Sequence, residues 1–76
     1  MKELIEFIAG KLVEHPEHIQ VNLQEEEDSI SIELRVAQED LGKVIGKQGR
    51  TARAMRTVLA ASQAGEGKRA RLEIIE

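Results

Sequence analysis

The sequence has 76 residues, which suffices for one small domain and leaves no room for a second. It contains no cysteine, so neither disulfide bonds nor thiolate metal sites can stabilise the fold. It has no Trp, no Tyr and one Phe, which argues against nucleic-acid binding by stacking bases on an aromatic platform. Because neither a signal peptide nor a run of about 20 apolar residues is present, we expect a cytoplasmic protein.

The formal net charge of −3 hides a division between the two halves of the chain. Residues 1–40 carry 3 basic and 11 acidic side chains, whereas residues 41–76 carry 8 basic and 3 acidic ones. No acidic residue occurs between positions 41 and 65, where five basic residues lie: Lys43, Lys47, Arg50, Arg53 and Arg56. This division predicts a surface for an anion, although a solvated basic helix would give the same pattern.

The first half of the chain predicts a helix followed by a hairpin. Apolar residues recur at helical spacing over residues 2–14, and Pro16 disfavours helical geometry at His15. Apolar and polar residues then alternate over 19–23 and again over 30–36, which is typical of strands. Because only the acidic segment 25–28 separates these runs, we expect an antiparallel hairpin with one solvent-exposed face.

Helical spacing returns in the second half. A short helix carries Leu41, Val44 and Ile45, with Gln38 or Asp40 as its cap. A longer helix is predicted from 50 to 64 and is ended by Gly65 and Gly67; its core side carries Ala52, Met55, Val58, Leu59 and Ser62. Alternation over 70–74 predicts a last strand. The fold class is therefore α+β, in the order α-β-β-α-α-β, with a three-stranded sheet and the helices on one face.

The segment Gly46-Lys47-Gln48-Gly49 joins the two helices of the second half. Glycines three residues apart allow a tight turn and a close approach to another backbone. The first N–H groups and the positive dipole end of the next helix point into the same space, where Lys47 and Arg50 add charge. The segment is thus suited to phosphates, although a plain helix–turn–helix connection would read the same way.

The run from Leu41 to Arg50, LGKVIGKQGR, resembles the VIGxxG signature of KH domains, whose GxxG loop clamps a nucleic-acid backbone. Two strands before the loop and one after it resemble the type II arrangement. The chain departs from the pattern at Ala52, where many KH motifs carry isoleucine. Over essentially its whole length, residues 1–76, it is similar to the small single-KH-domain RNA-binding proteins of the bacterial KhpA family.

The resemblance implies that the protein binds about four nucleotides of single-stranded RNA and catalyses nothing. It implies a role as a post-transcriptional regulator or RNA chaperone linked to cell shape, and pairing with a larger KhpB (Jag) type of KH protein. Val44, Ile45 and Ala52 would line an apolar floor under the bases, beside a strand edge that reads them. The predicted RNA-binding residues are Lys43, Val44, Ile45, Gly46, Lys47, Gln48, Gly49, Arg50, Arg53 and Arg56.

Other chemistries fit the sequence less well. Gly42 and Gly46 are one residue too close for a Walker loop, and the dinucleotide pattern GxGxxG is absent. His15 and His18 and the acidic segment 25–28 lack metal-ligand spacing, so neither a metal nor another cofactor is expected. No serine has a histidine in reach as a base, so we expect no enzyme and no small-molecule substrate. The remaining alternative is a protein–protein adaptor in which GxxG is only a turn.

A stripe of small residues predicts self-association through the longer helix. Ala54, Thr57 and Ala61 lie opposite the predicted core side, in line with Arg50 and Ala64. Small side chains let a second helix approach closely, and a 76-residue core gains from an added interface. Alanine is also simply the best helix former on a wet surface. The expected partner is a second copy of the chain or a KhpB-type protein.

Overall fold

A computed structural model describes residues 2–63 and 69–76, without the side chains of Ser62 and Gln63. The predicted core position of Ser62, the stripe position Ala64 and the helix-ending Gly65 and Gly67 therefore lie outside the described part. Within that part, no helix is both long and apolar enough to cross a bilayer. The elements are α1 (Lys2–Leu12), β1 (Gln20–Glu25), β2 (Ser29–Arg35), α2 (Leu41–Ile45), α3 (Arg50–Gln63) and β3 (Arg69–Ile74).

This order confirms the predicted α-β-β-α-α-β arrangement and the α+β class. The sheet order is β1-β2-β3, so β2 is central. β1 and β2 form the expected antiparallel hairpin, in which Val21 lies opposite Leu34. β3 returns parallel to β2, with Leu72 opposite Ile32, because α3 has carried the chain back along the sheet. Short 3₁₀ turns at Pro16–His18, Gln38–Asp40 and Lys47–Gly49 connect the elements.

The core lies between the helices and one face of the sheet. Ile32 and Leu34 of β2 are fully buried, whereas Glu33 and Arg35 between and after them are exposed. This period of two confirms that the helices cover one face and leave the other to solvent. Each helix contributes a narrow apolar stripe to the core: Ile5 and Ala9 of α1, Val44 of α2, and Ala52, Met55 and Leu59 of α3.

One predicted core position is wrong. Val58 remains 43% exposed, because the buried stripe of α3 consists of Ala52, Met55 and Leu59 and Val58 lies about 60° outside its margin at Met55. Leu23, on the edge strand β1, shares the face of Val21 but is 45% exposed. α1 ends at Leu12, earlier than predicted, and His15 adopts non-helical angles before Pro16 as expected.

Candidate functional site

The turn between α2 and α3 contains three residues with positive φ. They are Gly46 (φ 78°), Gln48 (φ 58°) and Gly49 (φ 74°). The N–H of Gly46 donates to the Gly42 carbonyl at 2.8 Å, and the N–H of Gly49 donates to the Gly46 carbonyl at 3.1 Å. Such angles are costly for residues with a Cβ, so the two glycines allow the chain to reverse within four residues.

The two glycines serve the turn for different reasons. A Cβ on Gly46 would lie 2.7 Å from the Cβ and 2.8 Å from the backbone nitrogen of Thr51, which the first turn of α3 places directly against it. A Cβ on Gly49 would meet no atom within 4 Å. Glycine is therefore needed at position 46 both because a Cβ would clash with Thr51 and because φ is positive, whereas at position 49 it is needed only because φ is positive.

Positively charged side chains and the first turn of α3 meet at this turn. Lys47, Gln48 and Arg50 are exposed, and one guanidinium nitrogen of Arg50 donates to the Gln48 side-chain oxygen at 3.3 Å. The first turn of α3 holds no acidic residue, so no carboxylate there opposes the positive end of the helix dipole. The turn, the start of α3 and two cationic side chains thus form one positively charged surface that suits an anion.

Asp40 has a different role from the predicted one. Its side chain makes no capping bond to α2. It is fully buried and accepts the backbone N–H groups of Glu14 at 3.2 Å and His15 at 2.9 Å, joining the end of α1 to the start of α2. Burial raises the pKa of Asp40, but these two hydrogen bonds and the charges of His15 and Lys43 outweigh it and hold that pKa below its usual value. Sequence spacing gives no sign of this contact, because its partners are 25 and 26 residues apart.

Lys43 points towards this buried carboxylate. Its Nζ lies 2.7 Å from a carboxylate oxygen of Glu14 and 3.5 Å from one of Asp40. The hydrogen bond to Glu14 outweighs burial and raises the pKa of Lys43, and the same bond lowers the pKa of Glu14. The structure therefore separates Lys43 from Lys47 and Arg50, with which it was grouped on sequence.

The residues of the predicted apolar floor differ in burial. Val44 and Ala52 are buried in the core, and Ile45 is half-buried. Only Ile45 presents its side chain at the surface, while Val44 and Ala52 hold α2 and α3 against the sheet. A cleft of about 290 Å³ lies at the strand ends beside His18 and Arg35, and its lining includes none of the predicted RNA-binding residues.

The remaining predicted residues lie along α3. Arg53 is exposed, and Arg56 is exposed but donates from Nε to the Leu72 carbonyl at 3.3 Å. Ala54, Thr57 and Ala61 all face solvent, and the exposed Val58 widens this stripe. The Thr57 hydroxyl donates to the Arg53 carbonyl at 3.0 Å, as is usual for threonine within a helix.

The α-β-β-α-α-β order, the mixed three-stranded sheet and the GxxG turn between α2 and α3 together define a type II KH domain. The family model described as "KhpA/KhpB, KH domain" matches residues 2–74. The chain is 55% identical over 75 residues to the RNA-binding protein KhpA of Clostridium perfringens, covering 99% of this chain and all of that protein. It is 49% identical to the KhpA of Halalkalibacterium halodurans over the whole of both chains. The protein belongs to the KhpA/KhpB KH-domain family.

Proposed function

We propose that the protein binds single-stranded RNA through the Gly46–Gly49 turn and acts by binding, without catalysis. The observation that carries the proposal is the meeting of three positive-φ residues, the start of α3 and two exposed cations at one place. A phosphate seated there would contact backbone donors, Lys47 and Arg50 together. The naming of the relatives as RNA-binding proteins supports RNA as the anion.

Each predicted residue then takes a role that its position supports. Lys47, Gln48 and Arg50 contact the phosphates at the turn, and Arg53 continues the phosphate track along α3. Ile45 offers an apolar surface to a base, while Val44 and Ala52 keep the turn in place from below. Lys43 adds to the field of the site at reduced strength, because Glu14 and Asp40 offset its charge.

The wider role is that of a cytoplasmic post-transcriptional regulator or RNA chaperone that contributes to cell shape. The family description, which joins KhpA and KhpB, supports a KhpB-type protein as a partner. A protein–protein adaptor is not favoured as the main function, because full-length relatives are named RNA-binding proteins.

The direct test replaces Lys47 and Gln48 together by Asp. Both side chains are exposed, so the circular dichroism spectrum should stay unchanged while RNA binding is lost. Lys2→Asp with Gln24→Asp is the matched control, since it makes the same change of charge on α1 and β1 and should leave binding intact. A folded Lys47→Asp/Gln48→Asp variant that binds RNA normally would show that the turn is not the site.

Salt and strandedness provide a second test. A narrow turn admits one backbone, so single-stranded RNA should bind more tightly than a duplex. With two to four phosphate contacts, the slope of log K against log salt should lie between roughly −1.5 and −3. A flat salt response, or preference for the duplex, would contradict the proposal.

We also propose that the exposed stripe Ala54, Thr57 and Ala61 pairs with a second copy or with a KhpB-type KH protein. The exposure of Val58 beside the stripe supports this, since it adds an apolar side chain to a surface otherwise made of small residues. Pairing would set two GxxG turns side by side and raise the avidity for RNA.

Light scattering after size-exclusion chromatography tests the pairing. Ala61→Arg should convert a dimer at tens of micromolar into a monomer without loss of fold, whereas Gln24→Arg on the open face of the sheet should not. A wild type that is monomeric at that concentration would exclude the homodimer. The heterodimer would then be tested by mixing the protein with a KhpB-type protein and repeating the light-scattering measurement.

A further inference from the structure

β1 is an edge strand, and no other described strand pairs with its outer side. The N–H of Glu26 donates to the Ser29 carbonyl at 2.8 Å, so these two residues form a hydrogen-bonded pair of the hairpin. Because such pairs alternate along an antiparallel ladder, Asn22 bonds to β2, whereas Val21 and Leu23 turn their N–H and C=O groups to the outer edge. This edge therefore offers backbone donors and acceptors to an extended chain.

The two edges of the sheet differ in their protection. Charged side chains, proline, bulges or a covering segment commonly protect a sheet edge from further pairing. β3 carries charged side chains at three of its six positions, and Arg56 of α3 donates to the Leu72 carbonyl at 3.3 Å. In β1, by contrast, residues 20–24 are uncharged and lack proline, the register with β2 runs unbroken over six residue pairs, and every residue except Val21 is exposed. The edge of β1 is thus the more open of the two.

Leu23 adds an apolar contact to this edge. Its side chain shares the helix-covered face with Val21, but it is 45% exposed whereas Val21 is buried in the core. A strand added outside β1 would place one of its own side chains beside Leu23, since residues directly opposite each other lie on the same face. Backbone pairing combined with alternate side-chain contacts is how sheet edges bind extended peptides.

The charge around β1 indicates which kind of segment it fits. Glu17 lies shortly before the strand, and residues 25–28 at its end are all acidic and exposed. Glu33 lies beside β1 on the open face, and β2 contributes one arginine, Arg35, at its far end. A nucleic acid would be repelled by this surface, as would the same acidic surface of a second copy, whereas a segment rich in lysine or arginine would be attracted.

We propose that the outer edge of β1 binds an extended basic segment of a partner protein as a fourth strand. An antiparallel partner would place its N-terminal end beside residues 25–28, so its lysines and arginines should precede a stretch of alternating apolar and polar residues. The site lies at the opposite edge of the sheet from β3 and shares no residue with the Gly46–Gly49 turn, so the inference does not depend on RNA binding. The protein would then hold a basic segment and an RNA on separate surfaces.

The experiment titrates ¹⁵N-labelled protein with the synthetic peptide KRKVTVTVK and follows the backbone amides by NMR. The amides of Val21 and Leu23 should shift, and those of Gly46–Gly49 should not. The peptide EDEVTVTVE reverses the charge and should not bind. The peptide KRKVTPPVK keeps the charge, but its adjacent prolines remove an edge-facing N–H in either register, so its affinity should be lower by about tenfold. Equal affinity for the two basic peptides would show that only charge is recognised and would overturn the inference.

Leu23→Lys and Gln24→Lys form a matched pair of variants. Both add one positive charge to β1 at an exposed position, but only the first removes the apolar side chain. Leu23→Lys should weaken binding of KRKVTVTVK about tenfold and Gln24→Lys only about twofold, whereas equal losses would contradict the proposed contact. If Leu23→Lys unfolds by circular dichroism, Leu23→Thr takes its place, because threonine suits a strand.

Three further results would overturn the inference. The first is failure of the wild type to bind KRKVTVTVK at about 1 mM, the weakest affinity that such a titration measures well. The second is a set of amide shifts confined to the Gly46–Gly49 turn. The third is protection of the Val21 and Leu23 amides from hydrogen exchange in the free protein that grows with its concentration, since a second copy would then occupy the edge.

Discussion

The two ends of α2 are separated by five residues and differ in burial, charge and hydrogen bonding. At the first end, the fully buried Asp40 accepts two backbone N–H groups of the segment after α1. At the other end, Gly46 begins a turn whose Lys47 and Gln48 are exposed. At the first end, the charge of Asp40 is used in contacts within the protein. At the second end, the charge of Lys47 remains available to a ligand.

This difference explains how so short a helix can hold a binding turn. Five residues form little more than one turn, which is unstable without tertiary contacts. Val44 buries one side of α2, and Asp40 ties its start to the end of α1. The turn at Gly46 can therefore remain exposed without loosening the fold, and changes at the two ends should have separable effects.

The largest effect should come from Gly46→Ala. The angles of Gly46 are almost restricted to glycine, and its Cβ would meet Thr51, so we expect a loss of about 3 kcal/mol and a fall in melting temperature of about 15 °C. Gly49→Ala is the matched control, because it meets only conformational strain and should lower the melting temperature by about 5 °C. Equal losses in thermal melts would show that the contact with Thr51 does not matter.

Asp40→Asn should have the next largest effect, on stability rather than on RNA binding. The amide has the shape of the carboxylate but lacks the charge and one acceptor, so one buried N–H loses its partner. We expect the melting temperature to fall by about 10 °C. Glu39→Gln removes the same charge from an exposed neighbour and should change little. If Asp40→Asn instead lost RNA binding while melting normally, the two ends would not be separable.

Acid should weaken the same end of α2. The pKa of Asp40 and that of Glu14 lie below their ordinary values, so their stabilisation is complete above those values and is lost as pH falls through the folded-state values. The melting temperature should therefore fall as the pH is lowered below about 4, and it should fall less steeply in Asp40→Asn than in the wild type. The pKa of Lys43 is raised, so its contribution persists at neutral pH and is lost only in strong alkali. Identical acid profiles for wild type and variant would exclude Asp40 as the cause.

The smallest effect is expected for the two lysines, whose alanine variants are compared by their RNA affinity in titrations. Lys47 has no ion-pair partner among the described residues, and Lys47→Ala should weaken binding about threefold to fivefold at low salt and reduce the salt slope by about 0.7. Lys43→Ala should weaken binding less than about twofold, because Glu14 already offsets its charge. Equal losses would mean that Lys43 leaves Glu14 to meet the RNA, and Glu14→Gln should then strengthen binding.

Patterns local in sequence were enough to predict the elements and the turn. Periods of 3.6 and 2 identified all three helices and three strands, because one buried face imposes its repeat on each element. The glycines at 46 and 49 and the cations at 47 and 50 marked the turn, because glycine is the usual residue at positive φ and a helix start attracts anions. The positive φ angles of Gly46 and Gly49 confirm the turn, and anion binding there stays a prediction.

Contacts between distant segments could not be predicted in this way. Asp40 resembled a helix cap by its position, yet the end of α1 supplies the N–H groups it accepts. Lys43 and Arg56 resembled further phosphate contacts, but Glu14 lies 29 residues from the first and Leu72 lies 16 residues from the second. Periodicity records which face of an element is apolar and carries no information on which polar group from elsewhere will approach it. The sequence thus gives the charge of each side chain, whereas the group that pairs with that charge depends on how α1, α3 and β3 pack together.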